Sequence, residues 1–355
     1  MRPRNPGARL GPNIRAFTRS WLAPLVTILS SSTVACQSTA ASEATPRTGA
    51  TRAPRAAAAD EAGSAGTSGH ASRPDARRRA AAVTLNQAKR QAAQGNLTEA
   101  IGLCRKAIAE DSAFEEAYLL LGSAWAMIGD QAPEIEAYRQ GLTVLPNSAA
   151  LHNELGMAEL GRGDVERAIE ALEKARALSR EGDAKILADL AYAYTFAHRN
   201  DEAEQWAKNA RDLDPKCFQC AMAYGEVLRQ KKKFELAAES FEAAVKLAPE
   251  DPAPKVSLAK VRYLAGRPAE ALDLYDALLK TMPDEPALLT QSSQVLLALS
   301  RAREAVERLT AADRLAPNTP AILRLLAEAQ AQAGARQDAQ KTEEKLRKIT
   351  KEEKR

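Results

Sequence analysis

Two consecutive stretches near the middle of the chain decide its fold. Residues 218–251 read FQCAMAYGEVLRQKKKFELAAESFEAAVKLAPED, and residues 252–285 read PAPKVSLAKVRYLAGRPAEALDLYDALLKTMPDE. In both stretches a small residue lies at position 8, an alanine at position 20 and a proline at position 32. Proline ends a helix because it lacks an amide N–H and disfavours helix in the residue before it. Each stretch therefore predicts two helices, the second of which ends before the proline.

The same register continues along most of the chain. With repeats that start at residues 81, 115, 149, 184, 218, 252, 286 and 320, small residues recur at positions 8, 20 and 27 and large ones at positions 7 and 24. Four prolines lie 34 residues apart, at Pro215, Pro249, Pro283 and Pro317. Small residues let neighbouring helices approach closely, and the large ones fill the space between them. We therefore predict an all-α solenoid of about eight helix–turn–helix repeats, because stacked repeats bury a core that one repeat cannot.

The period of 34 residues, the small and large columns and the terminal proline resemble the tetratricopeptide-repeat (TPR) family. The resemblance implies a right-handed superhelix in which the first helix of each repeat, helix A, lines a concave groove that binds proteins. It also implies that positions 2, 5, 9, 12 and 13 of helix A face the groove. In this chain those positions supply Asn153, Met157, Tyr192, Thr195, Met222, Glu226, Arg229, Lys260, Tyr263 and Gln294.

The residues of this expected groove suit a protein or peptide partner. Tyrosine offers a large contact area with a polar tip, and methionine adapts its shape to the partner. The groove lacks the Lys/Arg clamp of TPR proteins that bind chaperone tails, so we do not expect that subclass. The alternative for each of the ten side chains is that it packs against neighbouring helices instead.

The first 36 residues have the three parts of a secretory signal. An arginine-rich stretch runs to Arg19, an apolar stretch covers residues 21–29, and small residues lead to Cys36. The apolar stretch is too short for a transmembrane helix, which needs roughly 20 residues. The segment is therefore expected to direct export rather than to span a membrane.

Residues 33–36, Thr-Val-Ala-Cys, resemble a bacterial lipobox, although the family prefers a large aliphatic residue where Thr33 lies. The resemblance implies that Cys36 is acylated and becomes the mature N-terminus. Gln37 follows the cysteine, and by resemblance to Gram-negative lipoproteins the absence of aspartate there favours the outer membrane, with the protein facing the periplasm. A cleaved signal of a soluble exported protein and a chain that is not exported are the alternatives.

The chain between this signal and the repeats has a different composition. Residues 37–80 are rich in Ala, Ser, Thr, Gly, Pro and Arg and have no large apolar residues, so we expect a disordered linker. Residues 81–355 are expected to form the solenoid. Its last repeat runs into the charged stretch 341–355, which suits a solvated capping helix at the exposed end.

Charge and motif content argue against several classes of function. The net charge of +4 comes from arginines in the N-terminal 80 residues, whereas a nucleic-acid binder carries positive charge on its folded module. The three histidines, His70, His152 and His198, have no metal-ligand spacing. We therefore expect no nucleic acid, metal, cofactor or small-molecule substrate, and no catalytic residues.

Cys217 and Cys220 form a Cys-Phe-Gln-Cys motif at the start of a repeat. The motif has no βαβ context of the kind that accompanies thioredoxin-like redox chemistry. Three interpretations stay open: two small residues at a helix junction, a disulfide across one helical turn, and redox chemistry.

These observations predict a protein-binding scaffold that is tethered to the bacterial cell envelope and holds a protein or peptide in its concave groove. The main alternative is a structural or assembly factor of an envelope complex, such as a pilotin-like lipoprotein that assists secretin assembly. An enzyme is the remote alternative, because the repeats use nearly all of the length that can fold.

Overall fold

The computed structural model describes residues 73–179 and 182–352, and all regular secondary structure within these stretches is helical. The sixteen helices of the described stretches are α1 Arg73–Ala93, α2 Leu97–Glu110, α3 Glu115–Ile128, α4 Gln131–Val144, α5 Ala149–Arg162, α6 Val165–Leu178, α7 Ala184–Phe196, α8 Asn200–Leu213, α9 Phe218–Gln230, α10 Phe234–Leu247, α11 Pro252–Leu264, α12 Pro268–Thr281, α13 Pro286–Ala298, α14 Ala302–Leu315, α15 Pro320–Gln332 and α16 Arg336–Glu352. None of them is long and apolar enough to span a membrane.

The helices belong to two compact units. The first unit ends at Pro146 and contains α1–α4, and the second begins at Asn147 and contains α5–α16. Within each unit every odd-numbered helix packs against the even-numbered helix that follows it, as in a helix–turn–helix repeat. From α3 onward the odd-numbered helices begin at residues 115, 149, 184, 218, 252, 286 and 320, the same residues as the expected repeats. The odd-numbered helices are therefore the A helices and the even-numbered ones the B helices.

The alternation of small and large residues determines how closely the two helices of a repeat approach. Gly225 on α9 faces Phe241 on α10, and a Cβ atom at Gly225 would lie 2.7 Å from Cε1 of that ring. The Phe241 side chain is completely buried. Six alanines at position 20 are also completely buried, namely Ala100, Ala168, Ala203, Ala237, Ala271 and Ala305. The repeat positions at which small or large residues recur in the sequence are thus the positions where the helices contact each other.

The first helix begins earlier than the sequence suggested. We expected a linker up to residue 80, but α1 starts at Arg73, so residues 73–80 are helical. These residues are mostly arginine and alanine, which are good helix formers. Extending a helix that already exists also costs little free energy, because each added residue gains one hydrogen bond. Arg78 lies over the ring of Phe114 at 5.7 Å, which gives this extension one contact with the repeats.

The turn between helices A and B has a left-handed residue at position 15. Glycine supplies this conformation in five repeats, at Gly95, Gly129, Gly163, Gly266 and Gly334. In the other three repeats the residue is His198, Lys232 or Ser300, each with a φ of 58°. Left-handed backbone costs a non-glycine residue about 1–2 kcal/mol. The repeat packing therefore imposes this turn even where the sequence has no glycine.

Candidate partner-binding face

The ten residues expected to line the groove all lie on A helices of the second unit. We call them the helix-A face. Asn153 and Met157 are on α5, Tyr192 and Thr195 on α7, Met222, Glu226 and Arg229 on α9, Lys260 and Tyr263 on α11, and Gln294 on α13. The A helices α7 and α9 pack against each other, so face residues of successive repeats come together.

Four of the ten residues are buried and present almost no surface to a partner. Asn153, Tyr192, Thr195 and Met222 are each exposed by 4% or less. Thr195 donates its hydroxyl hydrogen bond to the Ala191 carbonyl of its own helix at 2.8 Å. The expectation that these four side chains line an open groove is therefore wrong in this structure, because their positions lie between adjacent helices.

The sequence contains a signal for this burial. Every residue of α7 from Ile186 to Thr195 is buried, and all but Asp189 and Thr195 in that stretch are apolar or aromatic. A helix that is apolar on all sides is an interior helix rather than one with an exposed face. The apolar run in α7 is therefore a better predictor of the burial of Tyr192 and Thr195 than their position in the repeat.

A polar cluster that is buried at Asn153 and Asp189 joins α5 to α7. Asn153 Nδ2 donates to Asp189 Oδ2 at 2.8 Å, and Lys185 Nζ lies 2.8 Å from Glu154 Oε1. Within the described residues, the Oδ1 atoms of Asn153 and Asp189 are buried and have no hydrogen-bond partner. Sequence analysis did not single out Asp189, although it is the only charged residue between Ile186 and Thr195.

Burial controls the protonation of Asp189, and charged neighbours control that of Lys185. Burial raises the pKa of Asp189 to about 7, and this exceeds the opposing effects of Lys185 and the hydrogen bond from Asn153. Burial also tends to lower the pKa of Lys185, but Glu154 and Asp189 raise it more, so it lies above its ordinary value. Lys185 therefore stays charged, while Asp189 takes up a proton at neutral or mildly acidic pH. A protonated Asp189 gains an O–H that can donate a hydrogen bond to an otherwise unpaired acceptor.

The pKa of Asp189 predicts a pH-dependent stability difference. Because its folded pKa lies above the ordinary value of 3.8, this group makes the fold less stable as pH rises from about 4 to about 7. We expect Asp189→Asn to raise the free energy of unfolding at pH 8 by at least about 1 kcal/mol, the equivalent of about one pKa unit. The advantage should disappear near pH 4, as measured by urea unfolding at each pH.

Asp273→Asn on α12 is the control for removing one acidic charge, since Asp273 is exposed. A less stable Asp189→Asn variant at pH 8 would contradict the account. It would mean that Asp189 is ionised and that its attraction to Lys185 exceeds the cost of burial.

The accessible part of the helix-A face carries an unpaired positive charge. Arg229 Nε donates to Glu226 Oε2 at 2.9 Å, and a second bond joins its Nη2 to Oε1, which raises the pKa of Arg229. Lys260 is exposed and has no hydrogen bond or ion pair with a described residue. Although the side chain is exposed, the surrounding protein removes part of the water around its ammonium group. This desolvation, and next the charge of Arg229, lower the pKa of Lys260, and Glu226 offsets the shift only in part. Arg229, Glu226 and Lys260 together therefore carry a net charge of one positive unit.

Apolar surface lies next to this charge. Leu264 follows Lys260 by four residues on α11, so the two side chains share one side of the helix. Leu264 is 39% exposed, and Tyr263 beside it is half-buried. Sequence analysis missed Leu264, although it lies at position 13 of its repeat and therefore belongs to the expected groove positions. This surface can accept an apolar side chain together with an anionic group.

The other expected features fall partly outside the described residues. Cys36, the signal segment 1–36 and most of the linker lie there, as does His70. His152 is buried on α5, and His198 is the left-handed turn residue described above. In the described part of the chain, no group of three His, Cys, Asp or Glu side chains could hold a metal ion. Cys217 and Cys220 are joined by a disulfide, and Cys104 is free and buried.

Comparison with protein families places the chain in a known class. Two family models described as tetratricopeptide repeat match it, one over residues 85–149, 135–184 and 188–252, and the other over residues 228–290. Because these matches cover more than half of the 355 residues, the chain belongs to the tetratricopeptide-repeat family. The family is a protein-interaction fold. A search of curated proteins gives no significant match.

Solved structures share the fold at low sequence identity. The anaphase-promoting complex hetero-tetramer Cut9–Hcn1 is 15% identical over 69% of this chain, with a TM-score of 0.60, and the chain spans 48% of its length. PilF of Pseudomonas aeruginosa is 24% identical over 61% of this chain and 98% of its own, with a TM-score of 0.50. PilW, described as a widely conserved type IV pilus biogenesis factor, is 16% identical over 58% and 96%, with a TM-score of 0.51.

Proposed function

We propose that this TPR protein is a scaffold of the cell envelope that binds a protein partner on the accessible part of its helix-A face. The observation that carries the proposal is the unpaired charge of Lys260 beside the exposed Leu264. An exposed leucine next to a cation fits a partner segment with an apolar side chain and a carboxylate. The proposed partner is a protein or peptide rather than a nucleic acid or a small-molecule substrate, and the proposed binding involves no catalysis.

The position of the scaffold is inferred from its N-terminal sequence. The arginine-rich, apolar and small-residue parts of residues 1–36 support export, and the lipobox-like residues 33–36 support a lipid anchor on Cys36. Two or more acyl chains hold a protein firmly on a membrane, since each buried CH₂ contributes about 0.8 kcal/mol. We infer an outer-membrane lipoprotein whose repeats face the periplasm.

Fractionation of the native host tests this location. We expect the wild-type protein in the outer-membrane fraction and the Cys36→Ala variant in the soluble periplasmic fraction, because the variant loses its acylation site. Cys104→Ala is a matched control, since Cys104 is buried within the repeats and plays no part in anchoring. A Cys36→Ala protein that stays in the membrane fraction would overturn the lipid anchor, and one found in the cytoplasm would overturn export.

The second candidate is an assembly factor of an envelope complex, such as a pilotin-like lipoprotein. The fold shared with PilF and PilW supports this candidate, and PilW is described as a pilus biogenesis factor. The two candidates differ in what loss of the protein does. An assembly factor predicts that an envelope complex fails to form in a deletion strain, which separation of membrane complexes by native electrophoresis would detect. A scaffold with one partner predicts that the complexes persist.

A further inference from the structure

The disulfide between Cys217 and Cys220 lies at the N-terminus of α9. Cys217 is the N-cap residue of this helix, and its Sγ accepts a hydrogen bond from the Cys220 N–H at 3.0 Å. The two Cα atoms are 5.2 Å apart. Cys217 is half-buried, whereas Cys220 is completely buried. An approaching molecule can therefore reach Cys217 and not Cys220.

The position of Cys217 favours its reduced form. The N-terminus of a helix carries a partial positive charge and free N–H groups, and both stabilise a thiolate. The N–H of Cys220 already points at the Cys217 sulfur. A thiolate that is stabilised in this way makes the disulfide easier to reduce.

The second sulfur also has a partner in the reduced state. The Cys220 sulfur lies 3.4 Å from the Ala184 carbonyl oxygen, at the start of α7. A disulfide sulfur has no proton to donate, but the thiol of a reduced Cys220 could donate one to this carbonyl. Reduction therefore leaves each sulfur with a hydrogen-bond partner.

A cleft gives access to the disulfide. It has a volume of about 560 Å³, and Cys217 is one of its lining residues. Leu213 and Phe218 contribute apolar walls, and the charged lining is mixed, with Lys185 and Lys216 beside Asp183 and Asp214. The Leu213 side chain is 49% exposed at the cleft. A thiol compound seated there would lie beside the sulfur of Cys217.

We propose that Cys217 and Cys220 form a thiol–disulfide exchange site that a dithiol reductant enters through this cleft. In the first step a thiolate of the reductant attacks Cys217 Sγ. A new S–S bond forms between them, and the Cys217–Cys220 bond breaks. The electron pair of that bond leaves on Cys220 Sγ, which takes a proton from water.

The second thiolate of the reductant then attacks its own sulfur in the mixed disulfide. The reductant leaves as a disulfide, oxidised by two electrons, and Cys217 is released as a thiolate. The protein pair is thereby reduced by two electrons. The reverse sequence regenerates the disulfide from an oxidised dithiol.

The difference between the two sulfurs gives the test. In the full chain, Cys220→Ser leaves Cys217 free and Cys217→Ser leaves Cys220 free. We expect iodoacetamide at pH 7 to alkylate Cys217 at least about 10-fold faster than Cys220, since only Cys217 is accessible and is held as a thiolate. Mass mapping of the peptides assigns each alkylated cysteine, and the buried Cys104 serves as an internal standard of low reactivity.

Three further readouts separate exchange from a purely structural bond. The alkylation rate of Cys217 should reach half its maximum at a lower pH than that of free cysteine in the same experiment. Oxidised glutathione should form a mixed disulfide with the Cys220→Ser variant and not with Cys217→Ser. In the wild type, dithiothreitol should reduce the pair without denaturant and with unchanged helix content by circular dichroism.

Three results would overturn the proposal. The first is equal alkylation of the two cysteines, and the second is a pH profile of Cys217 that matches that of free cysteine. The third is a wild-type disulfide that dithiothreitol reduces only after the protein unfolds. The last result would assign the bond a structural role, because its reduction would then require loss of the surrounding helices.

Discussion

Gly122→Ala is expected to destabilise the first unit by about 1–3 kcal/mol, the usual cost of adding volume to a packed core. A Cβ atom at Gly122 would lie 2.3 Å from Cε1 and Cζ of Tyr138, on the next helix of the same repeat. The Tyr138 ring is only 1% exposed, so it has no free space to move into. Either the ring or the helix must shift, and the contact between α3 and α4 weakens.

Gly102→Ala is the matched control, on α2 of the same unit. Gly102 is exposed and helical, and a Cβ atom there would meet nothing within 4 Å. Alanine is the better helix former, so this variant should gain about 0.5–1 kcal/mol. Urea unfolding followed by circular dichroism gives both values. If both substitutions stabilise the protein, the small residues at position 8 are not needed for the close approach of the two helices.

Sequence alone predicts most of the fold, because the columns that define a repeat are also the surfaces where its helices touch. Gly122 and Tyr138 are one such pair, at positions 8 and 24. The start of α1 at Arg73 could not be predicted in this way, since residues 73–80 contain none of the column residues. The left-handed turn at Lys232 could not be predicted from the sequence either, because no glycine occupies that position.

The candidate site could be predicted less completely. The position of a residue in the repeat shows which side of helix A it occupies, but not how closely the next A helix covers it. Tyr192 and Met222 are covered, whereas Lys260 is not. That Lys260 lacks an ionic partner depends on the pairing of Arg229 with Glu226, which is a property of the folded side chains. The sequence therefore gives the correct helices and only part of the correct surface.

Lys260 and the neighbouring Leu264 are expected to dominate partner binding. The double substitution Lys260→Glu with Leu264→Ser is expected to weaken partner binding by more than about 100-fold. Placing like charges together costs several kcal/mol, and about 1.4 kcal/mol corresponds to a tenfold change in affinity. Loss of the leucine removes apolar contact area as well. Both residues are substantially exposed, so the fold should retain its unfolding midpoint.

Lys246→Glu with Leu247→Ser is the matched control. It makes the same two chemical changes on a B helix, α10, at side chains that are also exposed. We expect this variant to bind the partner as the wild type does. The comparison removes effects of net charge and of surface hydrophobicity, because these change equally in the two variants.

Site-specific photo-crosslinking in the native host shows whether the partner contacts the surface around Lys260 and Leu264. A photoreactive residue is introduced at position 264, beside Lys260 of the helix-A face, or at position 247 on the B helix α10, and adducts are separated by size. We expect a discrete protein adduct from position 264 that falls at least about 10-fold when Lys260→Glu is added, and no such adduct from position 247. An adduct from position 247 alone, or one from position 264 that is unchanged by Lys260→Glu, would contradict this expectation.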